Sequence, residues 1–155
     1  MTRFVVGVGS NLSGPRTQVL RAYQALESVG RLEACSVLYV TPALVPDGKT
    51  PGPSFINGAV LLAYERDPIS LLAHLHAIEA AFGRIRTARW EDRPLDLDIL
   101  WSEHPVRGPE LTVPHPELLR RNFALAPLLD VLPALEATYG ERLRALGRPP
   151  IAGTR

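Results

Sequence analysis

The chain has 155 residues, 46% of them hydrophobic, which is enough for one full core and too few for two ordinary domains, so residues 1–155 read as one domain. A formal net charge of +1 excludes a globally basic nucleic-acid binder or a binder of anionic membrane surfaces, and it leaves electrostatic specificity to local clusters. The single cysteine, Cys35, excludes an intramolecular disulfide and a cysteine-rich zinc site, and it reads as a small core residue in a reducing compartment.

The apolar run at residues 4–8 is too short for a signal peptide or a membrane span and is broken by Gly7. It reads instead as a buried first strand in a cytoplasmic protein. Gly14-Pro15 then opens a helix through Val29, with Val19, Leu20, Tyr23, Leu26 and Val29 at helical spacing and Gly30 as the stop. Residues 32–40 and 55–64 are rich in aliphatic and aromatic residues and predict two further strands. Between them, residues 42–54 carry four prolines and two glycines, too many for regular structure and read as a lid.

Asp67-Pro68 supplies an N-cap and a first-turn proline for a helix to about Phe82, whose core stripe is Leu71, Leu72, Leu75, Ile78 and Phe82. Residues 84–94 form a second mobile lid loop, and residues 95–101 a strand with Asp96 and Asp98 on one face and Leu97, Ile99 and Trp101 on the other. A hairpin of Val106 with residues 111–113, helical pieces over 118–132 and a frayed tail over 147–155 complete the chain. The order β-α-β-β-α-β predicts an α+β, ferredoxin-like (split βαβ) sandwich, an antiparallel sheet with helices packed on its faces.

On a strand, Asp96 and Asp98 have Cα atoms roughly 6.5 Å apart on one face, a spacing that suits two Mg²⁺ ions about 3.5–4 Å apart. Alone, the pair reads equally as a charged strand edge that discourages pairing. Arg84, Arg86, Arg89 and Arg93 precede it, and guanidinium forks bind phosphate oxygens bidentately. The same arginines could simply pair with neighbouring acids. Both glycine-loop phosphate fingerprints fail at the N-terminus: Leu12 stands where the dinucleotide motif needs glycine, and Pro15-Arg16 follow where a Walker loop needs Lys and Ser/Thr.

Phe55 and Asn57, two apart on a strand, can stack on and hydrogen-bond a flat heterocycle, or serve as a core ring beside a turn residue. Trp90 and Phe123 lie beside arginines in polar segments, and His115 sits in the stiff Val113-Pro114-His115-Pro116 stretch. His76 and Glu79 are helical neighbours able to share one ligand group, whereas His74 and His76 diverge by about 200°.

Taken together, these motifs resemble the 6-hydroxymethyl-7,8-dihydropterin pyrophosphokinase family of folate biosynthesis. The resemblance rests on Gly9-Ser10-Asn11-Leu12, Tyr39-Val40-Thr41-Pro42, Phe55-Ile56-Asn57 and Ile78-Glu79 with Gly83-Arg84-Ile85-Arg86. It continues through Arg89-Trp90, Leu95-Asp96-Leu97-Asp98-Ile99, Leu111-Thr112-Val113-Pro114-His115-Pro116 and Arg121-Asn122-Phe123. It implies an ATP-dependent diphosphotransferase with ATP and a reduced pterin as its small-molecule partners, acting as a monomer without nucleic acid or membrane.

By the same resemblance, Asp96 and Asp98 bind two Mg²⁺ ions, and Arg84, Arg86 and Arg93 join them as catalytic groups. Thr41, Pro42, Leu44, Phe55, Asn57 and Phe123 contact the pterin. His76, Glu79, Trp90, Arg93, Ile99, Thr112, His115 and Arg121 contact ATP. The chain departs from the family pattern at Glu91-Asp92, Pro94, His76 and Glu110, and added acids beside a triphosphate oppose its binding unless arginines pair with them. A catalytically weak pterin and nucleotide binder of the same fold is the alternative. An RNA-binding module of this fold would need a glycine-aromatic strand signature that the chain lacks.

Overall fold

The computed structural model describes residues 1–11, 14–41, 54–83 and 95–153. Strands β1 (Thr2–Ser10), β2 (Arg31–Cys35), β3 (Tyr39–Thr41), β4 (Phe55–Tyr64) and β5 (Asp96–Ser102) form one antiparallel sheet. Its order is β2-β4-β1-β5, with β3 also paired to β4. With α1 (Pro15–Glu27) and α2 (Pro68–Ala81) as the crossovers, this is the split-βαβ arrangement predicted from the element order. Strands β6 (Val106–Arg107) and β7 (Thr112–Val113) make the predicted small hairpin.

Alternation along each strand divides the core in two. Phe4, Val6, Val8, Val60, Leu62, Leu97 and Ile99 face α1 and α2, where Val19, Leu26, Leu71 and Leu75 complete a fully buried cluster. Val5, Ala59, Leu61 and Leu100 face the other way, against α3 (Asn122–Val131) and α4 (Glu136–Leu146). Helix α4 goes unpredicted because Gly140 interrupts its apolar spacing; there the glycine is buried beside Glu136.

Local chemistry sets the element ends. Asp67 Oδ1 accepts from the Ser70 N–H at 2.8 Å, and Pro68 occupies the first turn of α2. Helix α1 stops at Glu27, two residues short of the prediction, where the Ser28 hydroxyl donates to Ala25 O and the Val29 N–H to Leu26 O. The strand predicted over 32–40 is broken at 36–38, because the Ser36 hydroxyl takes the Ala59 N–H at 2.9 Å in place of a ladder carbonyl.

Three further expectations are corrected. In β5, Val5 pairs with Trp101 and Val6 with Ile99, so Leu100 is an extra residue, and Trp101 packs with the α3 side instead of with Leu97 and Ile99. Cys35 is exposed at the end of an edge strand and is no core residue. Far from fraying, residues 147–152 of the tail run back along β3, the Val40 N–H donating to Pro150 O at 2.8 Å and the Ala152 N–H to Leu38 O at 2.7 Å. Residues 42–53 and 84–94, and with them both predicted lids, Pro42, Leu44, Arg84, Arg86, Trp90 and Arg93, lie outside the described residues.

Candidate active site

Asn57, Asp96 and Asp98 share the face of the sheet turned toward α3. Asp96 pairs with Gly9 and Asp98 with Gly7 across β1 and β5; Gly9 in turn pairs with Asn57, and Asn57 with Tyr39. Paired residues share a face, so Asp96, Gly9 and Asn57 form one transverse row, with the Asp96 and Asn57 Cα atoms roughly 10 Å apart at ordinary strand spacing. The predicted same-face placements of Asp96 with Asp98, and of Phe55 with Asn57, both follow from this register.

Gly9 keeps the row open. A Cβ there would come within 2.7 Å of Asn57 Oδ1. Asn57 itself is nearly buried and held on its other side, where its Nδ2 donates to Thr41 Oγ1 at 2.9 Å. The amide is therefore fixed in orientation before any ligand arrives, as selective recognition of a heterocycle edge requires. In the sequence Gly9 stands out as part of a failed phosphate loop and of the Gly9-Ser10-Asn11-Leu12 motif, neither of which tells of Asn57; the physical signal is a glycine at an inward-facing position of a buried strand.

β5 is an edge strand, and its free side opens into a cleft of about 400 Å³. His76, Glu79, Asp96, Asp98, Ile99, Thr112, His115 and Arg121 all line it, so the described residues expected at one nucleotide site do come together. Glu79 follows Leu71 and Leu75 at four-residue steps and puts a carboxylate, only 2% exposed, in the core stripe of α2. Its Oε2 accepts from the Leu97 N–H at 2.8 Å, capping a donor that the edge strand would otherwise present unpaired. Nearby, the His115 N–H donates to Leu100 O at 3.0 Å, which ties the Val113–His115 turn, with its cis Val113–Pro114 bond, to the same edge.

The orientation of His115 is set by its own loop. The Glu117 N–H donates to Nδ1 at 3.0 Å, so a neutral ring carries its proton on Nε2, the nitrogen 3.9 Å from Asp98 Oδ1. Imidazole and carboxylate thus converge on one point of the cleft. Arg121 brings a guanidinium to the same space, and its Cζ lies 5.8 Å from the centre of the Phe123 ring at the start of α3.

His74 turns away from the cleft and meets the Tyr64 ring edge-on at 6.0 Å, so the two histidines of α2 diverge as helical geometry requires. Thr41, Phe55, Asn57 and Phe123 stand outside the cleft, on β3, β4 and α3. The site accordingly has two parts: an acidic cleft at the β5 edge, lined from both sides of the sheet, and an amide-aromatic region at β3 and β4, with Gly9 between them. Glu110 also lines the cleft, as a fourth carboxylate beside Glu79, Asp96 and Asp98.

The fold and this divided site, carboxylate-rich at one end and amide-aromatic at the other, define the class: a small ferredoxin-like α+β domain with a polar cleft at its sheet edge. Residues 5–133 match the family model described as 7,8-dihydro-6-hydroxymethylpterin-pyrophosphokinase (HPPK), and the chain belongs to that family.

A 2-amino-4-hydroxy-6-hydroxymethyldihydropteridine pyrophosphokinase of Pseudomonas aeruginosa is 42% identical over 147 residues, covering 93% of this chain and 89% of the relative. The pyrophosphokinase of the same name from a Synechocystis strain is 40% identical over 133 residues, 83% of this chain and 66% of its own length. Among solved structures, an HPPK-DHPS in complex with substrates superposes with a TM-score of 0.68 at 13% identity over 94% of this chain. The HPPK-DHPS of Plasmodium falciparum with pteroate gives 0.62 at 14% identity over 92%. The chain spans less than half of those two solved chains, 46% and 44%, and the likeness there is one of fold.

Proposed function

We infer that this chain transfers the terminal diphosphate of ATP to the hydroxymethyl group of 6-hydroxymethyl-7,8-dihydropterin, releasing AMP, as a step of folate biosynthesis. The observation that carries the reading is the transverse row Asp96–Gly9–Asn57, which sets a carboxylate pair and a fixed amide on one face with no side chain between them. The pterin would lie along Asn57 and Thr41 between Phe55 and Phe123. The triphosphate would enter the β5 cleft.

Asp96 and Asp98 suit Mg²⁺, which binds through one or two carboxylates and completes its shell with water and phosphate oxygens. Among the described residues no group of three or more His, Cys, Asp and Glu is placed to hold a metal ion by itself, as a dedicated all-protein metal cage would be. When bound there, two Mg²⁺ ions would supply charge neutralisation and in-line alignment of the polyphosphate. The chain's own part is placement. Asn57 and Thr41 fix the pterin edge, so that its hydroxymethyl oxygen points along the row toward Asp96.

His115 Nε2–H and the Arg121 guanidinium would donate to phosphate oxygens, with Arg84, Arg86 and Arg93 proposed from sequence alone as further phosphate ligands. His76, Glu79, Ile99 and Thr112 would hold the nucleoside end, and Trp90 is proposed as its cover. In the reaction the hydroxymethyl oxygen forms a bond to the β-phosphorus, the bond from that phosphorus to the α-β bridging oxygen breaks, and the hydroxyl proton leaves to solvent. Catalysis is then mainly positioning and electrostatics.

No described helix is long and apolar enough to cross a membrane, and a cytoplasmic monomer is the proposed working form. ATP labelled at the β-phosphorus tests the reading. Label is expected in the pterin product and not in the AMP, whereas label released as free diphosphate would contradict transfer.

A further inference from the structure

Strand β3 is the weakest wall of the site. It is three residues long and pairs with β4 alone among the strands, yet its last residue, Thr41, holds Asn57 in place. A strand this short, with one edge bare, would not by itself keep a hydroxyl in register. Its other edge is covered by the chain's own tail. Two backbone hydrogen bonds, from Val40 N–H to Pro150 O and from Ala152 N–H to Leu38 O, flank an antiparallel bridge between Tyr39 and Ile151.

A side-chain node locks the same junction. The Tyr39 ring is only 1% exposed; its hydroxyl donates to Asp130 Oδ2 of α3 at 2.7 Å and accepts from Arg148 Nη1 at 3.2 Å. Arg148 also lies 3.8 Å from Asp130 Oδ1, so strand, helix and tail meet in one three-member network. Where the tail leaves α4, Gly147 has φ of 83°, a conformation that turns the chain back toward β3 and that side-chain-bearing residues resist. Its carbonyl accepts from Asn122 Nδ2 at 2.9 Å, immediately before Phe123. The tail thus touches both the strand that carries Thr41 and the helix start that carries Phe123.

We propose that residues 147–152 act as a strap that sets the pterin-reading end of the site, with Tyr39 and Arg148 as positioning residues that act through Thr41. The proposal rests on the diphosphate-transfer reading and goes beyond it, since the strap lies outside the 5–133 span that the family model matches.

The test compares wild type with Tyr39→Phe, Arg148→Ala and Ala152→Pro, the last removing the N–H that donates to Leu38. Dihydropterin affinity is measured by equilibrium fluorescence titration, together with both Michaelis constants and the melting temperature. Each variant is expected to weaken pterin binding about three- to tenfold, the loss of one well-placed hydrogen bond, while the ATP constant stays put. Arg148→Lys should restore part of the loss. In a Thr41→Val background the Tyr39→Phe change should cost nothing further, because the hydroxyl it positions is gone.

Unchanged pterin affinity in all three variants would overturn the strap. Loss of pterin and ATP affinity together with a falling melting temperature would also overturn it, by reducing the tail to general support. A wild-type protein that binds the pterin but releases no AMP would sink the transfer reading, and the strap would still be judged from the binding constants.

Discussion

On the face of the sheet toward α1 and α2, Val6, Val8, Val60 and Leu62 interlock with two helices, and only at the β5 edge do Leu97 and Ile99 of this face also line the cleft. On the opposite face, residues one step along the same strands are Gly7, Gly9, Asn57, Asp96 and Asp98, and α3 and α4 cover only the rest. Away from the β5 edge, alternation with period two therefore makes one face the anchor and the other the site. Substitutions should separate accordingly, stability following the first face and substrate handling the second.

The largest expected effect is on the site face. Asp96→Ala or Asp98→Ala should lower AMP production by about 100-fold or more while the melting temperature holds, since both side chains line the cleft instead of the core. Next comes the anchor face, where Leu71→Ala should cost about 2–5 kcal/mol in denaturant unfolding and leave both Michaelis constants unchanged. Nearly equal losses of activity and stability in both variants would erase the distinction.

Gly9→Ala sharpens it at a single methyl group. The new Cβ must displace Asn57 Oδ1, so pterin binding should fall about tenfold, the equivalent of one hydrogen bond. ATP binding should change much less. An unaffected pterin constant would mean that Asn57 does not read the substrate.

A smaller effect concerns pH. Burial, and then the hydrogen bond to Asp130, push the Tyr39 hydroxyl from its ordinary 10.0 up to about 12, with Arg148 opposing. A raised folded pKa adds stability that is complete below the unfolded value and is lost as pH rises through the folded one. Stability should therefore decline between pH 10 and about 12, and Tyr39→Phe should flatten that part of the profile. At the bottom of the scale, Glu33→Gln breaks the exposed pairs with Arg3 and Arg31 at 2.6 and 2.8 Å. Solvent screening should hold its effect on melting to under about 2 °C.

How much of this was legible in the sequence depended on whether the deciding physics was local. Strand alternation placed Asp96 with Asp98 and Phe55 with Asn57, and the Asp67-Pro68 start and apolar stripe placed α2, because caps and periodicity act over a few residues. The bulge at Leu100 that turns Trp101 to the other face, and the Ser36 hydroxyl that breaks the strand after Cys35, depend on partners across the sheet. Gly9 needed the same long-range knowledge, since its meaning comes from Asn57 two strands' worth of chain away. The strap was least legible: Gly147-Arg148-Pro149-Pro150 reads as a loose end until Tyr39 and Asp130 are seen beside it.

The central claim is that a pterin on the α3 side of the sheet and a triphosphate in the β5 cleft lie in line. The most direct measurement is AMP release from ATP and Mg²⁺ by the wild-type chain, with and without 6-hydroxymethyl-7,8-dihydropterin. Release that requires the pterin and matches pterin diphosphate formed one for one is the predicted result, and AMP appearing at the same rate without the pterin would contradict it.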